Sequence, residues 1–122
     1  MIKSGTRSGI PAARLADYDR LIATQPDIER KGATMPYTSM NGHMFSFLSP
    51  SGSLALRLPA GERAAFLDRY GTTLHQAGGK ALKEYVTVPD RLFGETGQVE
   101  LWFAASVTYV AGLKPKATRR SR

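Results

Sequence analysis

Apolar residues recur every three or four positions near the start of the chain, where Leu15, Tyr18, Leu21 and Ile22 share one side of a helix from about Pro11 to Thr24. Proline suits the first helical turn, and the residue before Pro26 avoids helical geometry, so Gln25-Pro26-Asp27 ends the element. The period then changes from helical to alternating. Asn41-Gly42 is a two-residue hairpin signal, because both positions tolerate positive φ, and Ser51-Gly52 is a second turn of the same kind. Two turns about ten residues apart predict a three-stranded meander with strands near 33–40, 43–49 and 53–58.

A register follows if Ser51-Gly52 is the whole loop of the second hairpin. Phe47 then faces Leu56 and Phe45 faces Leu58. Phe45, Phe47, Leu54, Leu56 and Leu58 would share the core face, since side chains alternate along a strand. Tyr37, Met44, Ser46, Leu48 and Arg57 would point to the other side.

A second helix is predicted over about 60–70, with Ala64, Phe66, Leu67 and Tyr70 as its apolar stripe and Gly71 as its stop. Leu74 to Ala77 and Leu82 to Val88 read as strands joined by Gly78-Gly79. In the second of these Val86 and Val88 fall on one side, Lys83, Tyr85 and Thr87 on the other. Asp90 to Phe93 is a short turn, broken from the last helix by Gly94 and Gly97. That helix runs from about Gln98 to Leu113, with Val99, Trp102, Phe103, Ser106, Tyr109, Val110 and Leu113 in a broad stripe. The order is α-β-β-β-α-β-β-α. Strands meeting in hairpins predict an α+β fold of two layers, a mainly antiparallel sheet with helices packed on one face.

Charge changes this picture little. The chain of 122 residues carries a net +7, which invites a nucleic-acid reading. Yet residues 1–14 and 114–122 contain no acid and eight cations, and the stretch between them has nine basic and ten acidic residues. The basic character lies in the ends. The domain is therefore expected over 11–113, with a flexible tail at 1–10 and a disordered basic tail at 114–122. Lys114, Lys116, Arg119, Arg120 and Arg122 in that tail could attract nucleic acid or any other polyanion.

With no cysteine, disulfides, thiolate metal sites and Cys nucleophiles are excluded. No apolar run has membrane-crossing length, and the N-terminus lacks a secretory core, so a cytoplasmic protein is expected. His43 and His75 lack metal spacing such as HxxxH. No Gly-x-Ser-x-Gly elbow occurs, and Gly78-Gly79-Lys80 lacks the frame of a phosphate loop. Asp17 and Asp19 point apart on their helix. Neither a catalytic site, a cofactor nor a metal is predicted.

The stretch ERKGATMPYTSMNGHMFSFL, then SLALRLP, then KEYVTVPDRLF resembles the TfoX/Sxy N-terminal domain family over roughly residues 15–113. The likeness lies in an Arg-Lys before the first strand, Met44-Phe45 after the hairpin, the strand end Leu56 to Pro59, and Tyr85 to Pro89 leading into the last helix. It implies a sheet with helices on one face, similar in outline to secretion chaperones, with no catalytic residue and no cofactor. It also implies a regulatory role, which in the competence regulators concerns transcription. Those regulators carry a Met-Phe-Gly-Gly element in the first strand and a second, C-terminal domain. Here the strand reads Ala33-Thr34-Met35-Pro36-Tyr37, and the chain reads as a stand-alone N-terminal domain.

Three functions are therefore weighed. The first is a non-enzymatic regulatory module acting by protein–protein contact, including a homodimer, through a mixed apolar and cationic sheet face of Tyr37, Met44, Leu48, Arg57, Lys83 and Tyr85. The second is nucleic-acid binding by that face and the basic tails. An enzyme ranks last, because no nucleophile, base and oxyanion site can be named together.

Overall fold

The computed structural model describes residues 10–32 and 34–115. Its elements are α1 (Ala12–Ile22), β1 (Tyr37–Met40), β2 (His43–Leu48), β3 (Leu54–Arg57), α2 (Ala60–Tyr70), β4 (Leu74–Ala77), β5 (Lys80–Val88), α3 (Asp90–Phe93) and α4 (Thr96–Ala111). The α+β reading and the order of elements hold. Gly97 lies inside α4 instead of breaking it, so the last helix begins two residues before its predicted start. The predicted tails fall largely outside the described residues, Lys116, Arg119, Arg120 and Arg122 among them. Ile10, assigned to the first tail, is buried with the core.

The strands form one antiparallel sheet in the order β1-β2-β3-β5-β4. Turn chemistry accounts for two hairpins. Asn41 and Gly42 take φ of 58° and 79°, and Gly78 and Gly79 take 59° and 82°, the doubly positive pairs that a two-residue hairpin needs.

The third hairpin differs from expectation, and the difference resets the sheet. Ser49 N–H donates to Ser53 O, and Gly52 N–H donates to Ser49 O, both at 2.9 Å. The loop therefore has three residues, Pro50 to Gly52, with Gly52 at φ 91° as the left-handed residue that closes such loops. A Cβ at Gly52 would lie 3.1 Å from Arg14 Cγ and 3.2 Å from Pro11 Cδ, because the turn packs against the start of α1. One added loop residue slips the pairing by one. Ser46 faces Leu56, Phe47 faces Ala55, and Leu48 faces Leu54. A one-residue slip exchanges the two sides of a strand. Leu48 therefore belongs to the core with Leu54, Leu56, Leu58, Val86 and Val88, and Phe47 belongs to the opposite face.

Phe45 nonetheless stays in the core. The β1–β2 register shifts between Thr38 and Ser39, leaving Phe45 without a partner on β1. Such a bulge re-aims a side chain. The Phe45 ring meets the Phe103 ring of α4 at 5.6 Å, beside Ser46, whose hydroxyl lies 2.6 Å from Tyr18 Oη of α1 and 2.5 Å from Thr38 Oγ1. The helices thus cover the face carrying Ser46, Leu48, Leu54, Leu56, Val86 and Val88, with Phe66 of α2 buried in the same cluster.

The first hairpin also caps the last helix. Asn41 Nδ2 donates to the carbonyls of Val110 and Ala111, each at 3.1 Å, and to that of Leu113 at 3.4 Å. His43 Nε2 lies 2.9 Å from Lys114 O. The final carbonyls of a helix lack intrahelical donors, and a side chain 69 positions away supplies one. Asn41→Gly keeps the positive φ and removes the donor. It should lower the unfolding free energy by about 0.5–1.5 kcal/mol, read from the urea midpoint at unchanged slope.

Candidate functional site

The structure distributes the six residues predicted as a partner surface. Leu48 is fully buried beneath the helices, a correction that follows from the register slip. Tyr37, Met44, Arg57 and Tyr85 are half-buried, and Lys83 is exposed. Tyr85 Oη donates to Met44 O at 2.7 Å, and burial pushes its phenol up to about 12, against the lowering pull of Arg57. Arg57 is engaged too. Its Nε donates to Glu84 Oε1 at 2.7 Å, while Tyr109 Oη of α4 donates to Glu84 Oε2 at 2.9 Å. The guanidinium lies 5.6 Å from the Tyr109 ring centre. Burial pushes the Glu84 carboxyl up, but the Arg57 and Tyr109 hydrogen bonds and the Arg57 and Arg63 charges outweigh it. The carboxyl ends below its ordinary range. These contacts bind the sheet to α4 and occupy the groups that a base-stacking surface would need free.

The face away from the helices is folded over itself. Phe47 on β2 meets His75 on β4 edge-on at 5.2 Å, although β3 and β5 lie between those strands. Only a strongly curled sheet allows this, and the intervening Ala55 is small enough to leave the space. Phe47 also meets Tyr85 at 5.4 Å. A hollow of about 420 Å³ opens beside Phe47 and His75, edged by Met35, Ser49, Ser51 and Ser53. Ser49 is held by its own turn, through Ser51 Oγ at 3.0 Å and Ser53 N–H at 3.1 Å.

His75 Nδ1 lies 3.0 Å from Thr87 Oγ1, and burial lowers the pKa of the ring below its ordinary value. The folded state resists protonation of His75 while the unfolded chain accepts it. The neutral ring is therefore compatible with full stability above the ordinary His pKa of about 6.5, and stability falls as pH drops from there towards the lowered value. His75→Phe should flatten the urea midpoint between about pH 7 and pH 5 relative to the parent. An unchanged slope would show that the ring charges freely in the fold.

The helical side carries a different surface. From Leu101 to Leu113 there is no charged residue, yet α4 is a surface helix. Val99, Phe103, Ser106 and Val110 form its buried face. Leu101 and Thr108 stand exposed on the opposite side, with Ala105 half-covered between them. Leu101 is 72% exposed. A surface helix normally shows charged or polar residues to water, and this one shows a leucine and small uncharged residues. A groove of about 340 Å³ runs beside Leu101, walled by Trp102 and Ala105 of α4 and Tyr70 of α2, with Glu62 and Arg69 of α2 on its rim. The wall is rigid. Trp102 Nε1 donates to Tyr70 Oη at 3.1 Å, and Trp102 meets Phe66 edge-on at 5.1 Å.

The sequence reading placed Trp102 and Tyr70 in apolar stripes but did not single out Leu101, Ala105, Glu62 or Arg69. The legible signal was the charge-free run, which is too long to be explained by one buried stripe. Among the described residues no three His, Asp or Glu side chains gather as a metal would need, and no helix is long and apolar enough to cross a membrane. Comparison of the chain with protein families, with curated proteins and with solved structures gives no match.

Proposed function

We propose that this chain is a non-enzymatic protein–protein interaction module, and that its contact surface is the outer side of α4 with the adjoining groove against α2. The observation that carries the reading is Leu101, a large apolar side chain 72% exposed on a charge-free stretch of helix beside a preformed aromatic wall. What supports a partner site is the continuity of Leu101 with the groove, an apolar surface rimmed by Glu62 and Arg69. Rigid aromatic walls make good anchors, since little side-chain entropy is lost on contact. The resemblance to TfoX N-terminal domains supports the same class, a regulatory module without catalytic residues. The contact surface thus moves from the sheet, where Arg57, Tyr85 and Leu48 have intramolecular roles, to the helical layer.

A photo-crosslinking amino acid at position 101 of the full chain, expressed in cells, tests this. Discrete adducts are expected from position 101 and none from position 83 on the sheet. Adducts from position 83 alone would return the surface to the sheet, and none from either would leave the module reading without support.

A further inference from the structure

We infer that the partner on the α2–α4 surface is a second copy of this chain, docked about a two-fold axis with α4 antiparallel to α4. The inference rests on the interaction-module reading and names its occupant. Three features of the surface fit a copy of itself.

The first is the small outer face of α4. Ala105 and Thr108 follow Leu101 at four- and seven-residue steps, with Gly97 one turn before it. Residues this small let two helix backbones approach closely. In antiparallel pairing centred midway between Leu101 and Ala105, the bulk of each leucine lies over the alanine of the other copy. Large against small is the complementarity that one surface must have to pack on itself.

The second is charge. Glu62 and Arg69 lie on α2 seven residues apart, hence two turns apart on one side of the helix. Both are exposed, and both sit on the groove rim. Among the described residues neither has an ion-pair partner within the chain, while Arg69 stacks its guanidinium 5.4 Å from the Tyr70 ring centre. A two-fold axis across α2 reverses its direction in the second copy. Each Glu62 then faces the other copy's Arg69, and the pair forms twice. An isologous interface demands this relation, in which residue i meets j and j meets i.

The third is the neutrality of the remainder. The strip between those rim charges is the uncharged side of α4, so no like charges are brought together at the centre. The strip is about 24 Å long at the rise of a 16-residue helix. A contact made by one helix and the rim of its neighbour is a modest interface, and association in the micromolar range is expected.

Sedimentation and light scattering of the full purified chain, from about 1 µM to about 1 mM, test the inference. The parent should pass from monomer to dimer over that range. Leu101→Glu should remain monomeric with an unchanged circular dichroism spectrum and melting curve, since the side chain it replaces is solvent-exposed. Glu62→Arg and Arg69→Glu should each weaken self-association by about tenfold or more, because like charges then meet twice. Mixing those two variants should restore a dimer, now a heterodimer in which both contacts are attractive. A parent monomeric throughout the range, or charge variants that dimerise as the parent does, would overturn the second-copy inference. The adduct mass from position 101 separates the two readings. Twice the chain mass supports a second copy, whereas another mass keeps the interaction module and removes the self-association.

Discussion

Leu48→Ala should lower the unfolding free energy by about 2–5 kcal/mol, the cost of emptying a closely packed leucine site. Leu48 is fully buried and faces Leu54 across β2–β3, and Leu54 in turn faces Val88. The space left by the missing atoms lies inside a sheet held from both sides, with little freedom to collapse. Lys83→Ala on the opposite face should change stability by no more than about 0.5 kcal/mol. The comparison reads the register directly in a urea titration. In the two-residue-loop register Leu48 would be on the outer face, and its truncation would cost no more than that of Lys83.

Tyr18→Phe should cost about 1–3 kcal/mol and should also change the alkaline limb of the stability curve. Tyr18 Oη is buried against Ser46 and Thr38, where three hydroxyls satisfy one another between α1 and the sheet. Removing one leaves Ser46 and Thr38 with one partner fewer where water does not reach. Burial raises the Tyr18 phenol well above its ordinary value, outweighing the lowering effect of the Ser46 and Thr38 hydrogen bonds and the Arg30 charge. Burial likewise raises Tyr85 and Tyr109, with Glu84 adding to the rise at both. A raised folded-state value means that stability is complete below the ordinary tyrosine pKa of about 10 and is lost as pH climbs above it. Phenolate absorbance of these tyrosines should therefore appear together with loss of helical circular dichroism. Tyr18→Phe should unfold with a shallower dependence on pH above about 10. Free titration of the phenols in an intact fold would show that they are open to solvent.

Much of the fold was legible along the chain. The bounds of α2 and β4 follow from local chemistry, Gly71 ending the first and the Gly78-Gly79 turn the second. The same holds for α3, set between Pro89 and Gly94. The side assignment of Val86 and Val88 against Tyr85 and Lys83 also agrees with the observed pairing, because the two valines alternate with Tyr85 and Thr87 at the end of β5. Strand β2 offers no such clue. Phe45, Phe47 and Leu48 supply apolar side chains to both parities, so alternation could not choose between two registers one residue apart. The candidate site was less legible still. The sheet-face residues that looked free are engaged by partners distant in sequence. Tyr85 bonds to Met44, and Arg57 bonds to Glu84, which Tyr109 holds from α4.

The sequence by itself determined which segments are helices and strands, where the chain turns, and that the net positive charge sits in its ends. These properties depend on neighbours within a few positions: period, proline, glycine and cap chemistry. Tertiary structure alone decided the three-residue loop at Pro50 to Gly52, the bulge that returns Phe45 to the core, and the curl that seats Phe47 against His75 across Ala55. Each depends on a contact between distant parts of the chain, such as the packing of Gly52 on Pro11 and Arg14. The same is true of α4. That the thirteen residues from Leu101 to Leu113, most of them in α4, are uncharged can be read from the sequence. The apolar stripe that meets the sheet could be read there too, since Val99, Phe103, Ser106 and Val110 all belong to it, but only the tertiary structure set Leu101 beside a groove walled by Tyr70 and Trp102, with Phe103 against Phe45 and Asn41 over the helix end.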